Sequence, residues 1–289
     1  MHDVLIVLAG GASSRMKKEN NISLLNDLKN QANSRSKALI SIDVTGRPVL
    51  DYLLYNAKQA GYKNIYIIVG EDHNLIKDFY GSKSCGNLFH GLRIHYAIQY
   101  IPVNRKKPFG TADALNQAIN QYPELAKSNY TVCNSDNLYS VHALKALRVT
   151  KYRNALISYD RDSLKFSLEK ILRFALVLID EDGFLYDIIE KPKTENVASY
   201  KDYLGKLRVS MNIFKFDGVL FSNYLVNCPV NQNRNEKELP TALLNMVMDH
   251  PKSVYGIPMA AHVPDLTSKE DIIVLKEYIQ KNYSHLIWE

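Results

Sequence analysis

The stretch Leu8-Ala9-Gly10-Gly11-Ala12-Ser13-Ser14-Arg15-Met16 gathers groups suited to holding a phosphate. Two adjacent glycines let backbone N–H groups approach an anion with no Cβ in the way. Ser13 and Ser14 add hydroxyl donors, and Arg15 brings a planar fork that matches phosphate oxygens. No Gly-Lys-Ser/Thr follows, so this is not a Walker loop, and no GxGxxG is present, so it is not a dinucleotide fingerprint. Further along, Gln99 ends an apolar run, and its amide offers one donor and one acceptor side. Gly110 lets backbone lie against a flat ring, and Thr111 reads as a helix N-cap. Asp136, in Asn134-Ser135-Asp136-Asn137, follows another short apolar run. A carboxylate there either closes a turn or holds a hard cation such as Mg²⁺. The eight histidines fall in no HxxxH or HExxH spacing, which disfavours zinc chemistry.

These groups need a scaffold, and the hydrophobic pattern supplies one. Val4–Leu8 and Ile65–Val69 are unbroken apolar runs rich in β-branched residues, as in strands buried on both faces. Between them, Leu50, Leu53, Leu54 and Ala57 recur at helical spacing, with Gly61 as a C-terminal stop. The alternation continues with strands at Leu92–Ile98, Tyr130–Cys133 and Ala155–Ser158 and helices at Thr111–Ile119 and Val141–Leu147. Such an order implies a mostly parallel sheet with helices on both faces, and ligands at the carboxyl ends of its strands. The middle differs. Leu172–Ile179, Leu185–Glu190 and Arg208–Phe216 read as strands with no long helix between them, and Asp182-Gly183 is a hairpin turn. Leu239–Met248 and Lys269–Ile279 are late helices; Ser268 and Asp271 form a capping-box pair for the second. Lys17–Ser36 reads as a polar, mobile excursion, and Ala38–Ile42 as a short strand or turn. We expect one α/β domain over 1–289, with a nucleotide-binding half of about 1–150 and a smaller antiparallel portion over about 151–289.

The bulk numbers narrow the function class. With 46% hydrophobic and 23% charged residues, the 289-residue chain can bury a sizeable core. A net charge of +6 suits anionic small molecules but is too weak an excess to argue for nucleic acid. Three widely spaced cysteines, Cys85, Cys133 and Cys228, make no disulfide framework. No stretch approaches the roughly 20 apolar residues of a membrane span, and Val4–Leu8 is too short for a signal peptide. The expected setting is cytoplasmic, with no membrane partner. The 19 tyrosines suggest packing in sheet and core.

Taken in order, these motifs resemble the sugar nucleotidyltransferases, the NDP-sugar pyrophosphorylases, from residue 4 to about 275. The family signature L-A-G-G-x-G-T-R is matched by Leu8 to Arg15. The Ser-Ser-Arg-Met variant is closer to the cytidylyl- and guanylyltransferases of the same Rossmann-like fold. The resemblance implies that Gly10 and Gly11 wrap a nucleoside triphosphate while Arg15 and a lysine neutralise the reacting phosphates. That lysine matches Lys37, in Ser36-Lys37-Ala38-Leu39; Lys17 or Lys18 are the alternatives. Gln99 and Gly110-Thr111-Ala112-Asp113-Ala114 match the base-binding segments, which implies that the Gln99 amide pairs with a pyrimidine edge. Asp136 matches the metal-binding G-D-N, and Asp265, in Val263-Pro264-Asp265-Leu266-Thr267, a second metal carboxylate. Glu190-Lys191-Pro192 matches an E-K-P whose glutamate binds sugar hydroxyls and whose lysine binds the sugar phosphate, and Asn212 matches a sugar-contacting position. The implied reaction joins a nucleoside triphosphate to a sugar 1-phosphate with Mg²⁺, giving NDP-sugar and pyrophosphate. The alternatives are a non-sugar phosphate acceptor, which the Ser-Ser-Arg-Met loop supports, and an inactive nucleotide-sugar-binding regulatory subunit. The oligomeric state stays open.

Overall fold

The computed structural model describes residues 1–18, 26–190, 192, 194–283 and 286–288. The first apolar run is strand β1 (Val4–Leu8), and its side chains divide between two cores: Leu5 and Val7 enter one, Ile6 the other. Helix α1 (Asn26–Ser34) lies inside the polar stretch expected to be an excursion. It buries Leu28, Gln31 and Ala32, and two apolar residues are too few to mark a helix by periodicity. Lys37–Leu39 is a single 3-10 turn, and Ser41 bridges to Pro48. Helix α2 (Val49–Ala60) then buries the apolar face expected of it and stops at Gly61, whose φ of 92° is left-handed.

The alternation runs on through β2 (Asn64–Val69), α3 (Asn74–Tyr80), β3 (Asn87–Phe89), β4 (Leu92–Ile98), α4 (Thr111–Gln121), β5 (Asn129–Asn134), α5 (Val141–Val149) and β6 (Asn154–Asp160). Strands β4, β2, β1 and β5 are parallel neighbours in that order. The carboxyl ends of β1, β4 and β5 therefore open on the same edge, where the glycine loop, Gln99 and Asp136 follow.

The second half comprises α6 (Leu168–Ile171), β7 (Leu176–Ile179), β8 (Leu185–Ile189), β9 (Arg208–Val209), β10 (Ile213–Asp217), α7 (Gly218–Val226), α8 (Leu239–Asp249), β11 (Val254–Met259) and α9 (Lys269–Asn282). Strand β10 runs antiparallel between β5 and β6, so both halves share one continuous sheet. The β7–β8 hairpin turns at Gly183, with φ 89°, as Asp182-Gly183 suggested. Two strand expectations need correction. Residues 172–175 lead out of α6 and precede β7. The run Arg208–Phe216 is two strands, because the chain turns at Ser210–Asn212 and Asn212 adopts φ 54°, a region asparagine tolerates. Two strands carried no clear signal: β3 is only three residues long, and β11, parallel to β6, carries Gly256 and Pro258 inside an otherwise strand-like run.

Helices α2, α5 and α9 cover the first core, and α4, α7 and α8 the second. The mixed α/β class with helices on both faces is as expected. No described helix is long and apolar enough to cross a membrane.

The N-terminus carries a pH-sensitive contact. His2 Nε2 lies 2.9 Å from Thr131 Oγ1, and burial, aided by the charge of Lys215, pushes its pKa down from 6.5 to about 3. The folded imidazole stays neutral where the unfolded one takes up a proton, so its contribution is lost as pH falls from 6.5 toward 3. The denaturation midpoint is expected to drop over that interval, and His2→Gln to flatten part of the drop. An identical pH profile in the variant would contradict this.

Candidate active site

Two cavities open at the carboxyl edge of the sheet. The smaller, about 300 Å³, is lined by the loop from Leu8 to Arg15 together with Lys37, Gln99, Gly110 and Thr111. The larger, about 930 Å³, reaches Glu190, Asn212, Arg234 and Asp265. They share Leu8, Arg15, Thr111, Asn134, Asp136 and Glu236, so Arg15 and Asp136 stand where the two meet.

Backbone packing explains the glycine loop. Ala9 N donates to Ile68 O at 2.8 Å, continuing the β1–β2 pairing into the turn. A Cβ on Gly10 would sit 3.3 Å from Gln99 Oε1 and from the Val69 carbonyl carbon, so this glycine serves close packing. A Cβ on Gly11 would meet no atom within 4 Å, so nothing in the fold demands glycine there. Ser13 takes φ 54° to turn the chain; Ser14 and Arg15 are exposed. The end of the loop is tied down by buried Lys269, whose Nζ donates to Lys18 O at 2.8 Å.

Of the three candidate lysines, Lys37 is the one that reaches the carboxylate. Its Nζ donates to Asp136 Oδ2 at 2.9 Å, whereas Lys17 and Lys18 are exposed. Asp136 and Asp265, far apart in sequence, are brought together by backbone pairing. Leu138 N donates to Pro264 O at 2.9 Å and Leu266 N to Asp136 O at 2.8 Å, while Asn137 Nδ2 reaches Asp265 Oδ1 at 3.3 Å. Burial, reinforced by repulsion from Asp136, holds the Asp265 carboxyl above its usual value even though Lys170 and Thr267 favour its anion. Both carboxylates offer hard oxygens, but among the described residues no group of three or more His, Cys, Asp or Glu forms a metal cage. That donor set fits Mg²⁺, which commonly takes one or two carboxylates and completes its shell with substrate phosphate and water.

In the wall of the smaller cavity, Gln99 is buried. Its Nε2 donates to Gly110 O at 2.9 Å and to Asp113 Oδ2 at 3.0 Å. Gln117 Nε2 also donates to Asp113 Oδ2, at 2.9 Å. The amide donor is thus consumed and its orientation fixed, leaving Oε1 beside Gly10. Gly110, not Thr111, is the N-cap of α4, with φ 104° and ψ 179°. Its lack of a side chain is required by protein: a Cβ would lie 2.2 Å from Lys237 O. Thr111 Oγ1 instead accepts from Leu239 N at 3.0 Å, stitching α4 to α8.

Glu190 pairs with Arg234, Nη2 to Oε2 2.9 Å, and Arg234 also pairs with Glu238. Asn212 is exposed in the larger cavity, with its carbonyl accepting from Tyr139 Oη at 3.1 Å. Lys191 lies outside the described residues. Three basic residues in the larger cavity carried no signal in the sequence: Arg234, from an irregular loop, Lys170, from a four-residue helix, and Arg173, just after that helix.

A family model described as nucleotidyl transferase matches residues 4–261. The chain belongs to that family. Among relatives, the bifunctional protein GlmU of Staphylococcus saprophyticus subsp. saprophyticus is 23% identical over 275 residues, covering 94% of this chain and 51% of that protein. The D-glycero-alpha-D-manno-heptose 1-phosphate guanylyltransferase of Aneurinibacillus thermoaerophilus is 26% identical over 140 residues, 48% of this chain and 49% of the other. The chloroplastic/amyloplastic glucose-1-phosphate adenylyltransferase small subunit of Triticum aestivum is 26% identical over 198 residues, 67% and 39% of the two chains. The chain spans about half the length of the curated relatives it matches. Family membership accords with the Rossmann-like sheet and with the glycine loop, Arg15 and Lys37 lining a cavity at its carboxyl edge.

Proposed function

We propose that the chain transfers a nucleotidyl group from a nucleoside triphosphate to a sugar 1-phosphate, yielding NDP-sugar and pyrophosphate. The observation that carries this reading is the meeting of two cavities at Arg15 and Asp136. The nucleotide occupies the smaller cavity and the acceptor the larger, so the α-phosphorus lies at the boundary. An acceptor phosphate oxygen forms the new bond to that phosphorus as the bond to the bridging oxygen of pyrophosphate breaks, the electron pair leaving with pyrophosphate. A phosphate monoester is already anionic near neutral pH, so alignment and charge neutralisation suffice. Gly10, Gly11, Ser13 and Ser14 cradle the triphosphate, and Leu8 and Ala9 position that loop. Arg15 neutralises the leaving pyrophosphate, and Lys37 steadies the α-phosphate. Mg²⁺ carried by Asp136 and Asp265 supplies further charge neutralisation at the reacting phosphates. Glu190, Lys191 and Asn212 take the acceptor, Glu190 sharing that role with Arg234. A cytoplasmic setting suits such substrates.

Gln99 bears on the base. With its Nε2 held by Gly110 and Asp113, Oε1 is the atom left to accept, which suits the N3–H of uracil or thymine. Cytosine presents an acceptor at N3 and would repel it. One such mismatch costs about 1–3 kcal/mol, on the order of ten- to hundredfold. UTP or dTTP is therefore expected to exceed CTP in kcat/KM by at least about tenfold, measured by chromatography of the NDP-sugar formed. Preference for CTP would overturn the base assignment, and no NDP-sugar from any triphosphate and sugar phosphate would overturn the function.

A further inference from the structure

Lys170 is a cation of the larger cavity that the proposed transfer leaves without a role. It sits on the short helix α6, with Nζ 2.9 Å from Asp265 Oδ2 and 2.7 Å from Asp271 Oδ1. Its ammonium also lies 4.7 Å from the centre of the Phe166 ring. Burial by itself would lower its pKa, but the two carboxylates outweigh this and keep the ammonium charged. The arrangement parallels that of Asp136, whose Oδ2 receives Lys37 Nζ at 2.9 Å.

We propose that Lys170 is a built-in counter-ion that occupies the cation position of Asp265 until a divalent ion displaces it. This rests on the reading above that Asp265 takes a divalent ion. The Asp265 side chain is only 10% exposed and adjoins Asp136, so without a cation it would stand as an uncompensated charge beside another. Its two oxygens are already committed: Oδ1 to Asn137 Nδ2 at 3.3 Å, Oδ2 to the Thr267 hydroxyl and to Lys170. An ion that binds Oδ2 must therefore take the place of the ammonium. The lysine is well suited to yield. It is a point charge on a flexible stem, and Leu168 beside it on α6 is 68% exposed, so little packing holds the helix. Asp271 stays behind as its second partner, and Asp271 is itself fixed by the α9 N-terminus, where Ser268 N donates to its Oδ2 at 2.8 Å. The displaced ammonium thus remains tethered at the cavity wall. Lys170 is a positioning residue: it holds Asp265 in place before the ion arrives.

The test is binding of Mn²⁺ alone to the full chain, read from the electron paramagnetic resonance signal of the free ion. Lys170→Met is expected to bind Mn²⁺ at least about tenfold more tightly than the unaltered chain without nucleotide, since no internal cation competes. Lys170→Gln, which keeps a polar end, should shift affinity in the same direction, and thermal melting reports whether either variant is folded. Equal or weaker Mn²⁺ affinity in both folded variants overturns the inference while leaving the divalent-ion reading of Asp265 intact. Absence of bound Mn²⁺ from the unaltered chain and both variants, even with nucleotide, overturns that reading and the inference together.

Discussion

Asp136→Ala is expected to abolish turnover while leaving the fold intact. The side chain stands at the junction of both cavities and accepts from Lys37 Nζ at 2.9 Å, so its removal strips a proposed ion ligand and the lysine's partner at once. Loss of one preorganised electrostatic group commonly costs about 10²–10³ in kcat, and loss of a metal ligand is at least as damaging. A drop of at least about 10³ is expected in steady-state assays with Mg²⁺, with an unchanged far-ultraviolet circular dichroism spectrum. Lys37→Met should fall by a similar order. The double variant should lose little more, because the two residues act as a unit. Near wild-type product formation by Asp136→Ala would remove the metal role from the account.

Gly110→Ala should have the largest effect on stability, and Gly11→Ala provides its contrast. Gly110 lies at φ 104° and ψ 179°, a region that essentially only glycine adopts, at a cost of about 1–3 kcal/mol for other residues. An added Cβ would also come within 2.2 Å of Lys237 O and 2.8 Å of Lys237 N, which are backbone atoms that cannot swing aside. The same segment carries the Lys237 O contact to Ala112 N, the Leu239 N contact to Thr111 and the Gly110 O contact to Gln99. We expect a loss of roughly 3 kcal/mol or more, a fall in Tm of several degrees, and weakened nucleotide binding through the displaced Gln99. Gly11→Ala places its methyl in open space, so Tm should stay nearly unchanged while triphosphate affinity falls. Calorimetry and nucleotide titration separate the two. Loss of stability in Gly11→Ala with unaltered nucleotide affinity would contradict the proposed division of labour between these glycines.

What could be read in advance divides along physical lines. Buried parallel strands announce themselves, since both faces of β1 and β2 must be apolar, and the helical faces of α2 and α4 recur at a spacing no strand shares. Elements held by tertiary contact do not. Gly256 and Pro258 hide β11, whose pairing with β6 overrides local preference, and the turn at Asn212 splits an apparently continuous strand. Within the site, the glycine loop was legible from residue chemistry, but Gln99, Lys37 and Asp265 stood out only through resemblance. Their approach to Asp136 and its neighbours depends on the 3-10 turn after α1 and on the pairing of Leu138 with Pro264. Thr111 illustrates a sharper failure: an N-cap preference is local, and the hydroxyl was claimed by a contact from α8. Lys170 and Arg234 carried no pattern, because an isolated cation in a short helix or loop looks like any solvated one.

The central claim is that two ligands meet across Arg15 and Asp136, and acceptor-dependent pyrophosphate release tests it most directly. With a nucleoside triphosphate, Mg²⁺ and a sugar 1-phosphate, pyrophosphate should appear in equal amount to NDP-sugar and should cease when the sugar phosphate is withheld. Pyrophosphate released at the same rate without any acceptor, or none released across a panel of triphosphates and sugar phosphates, would contradict it.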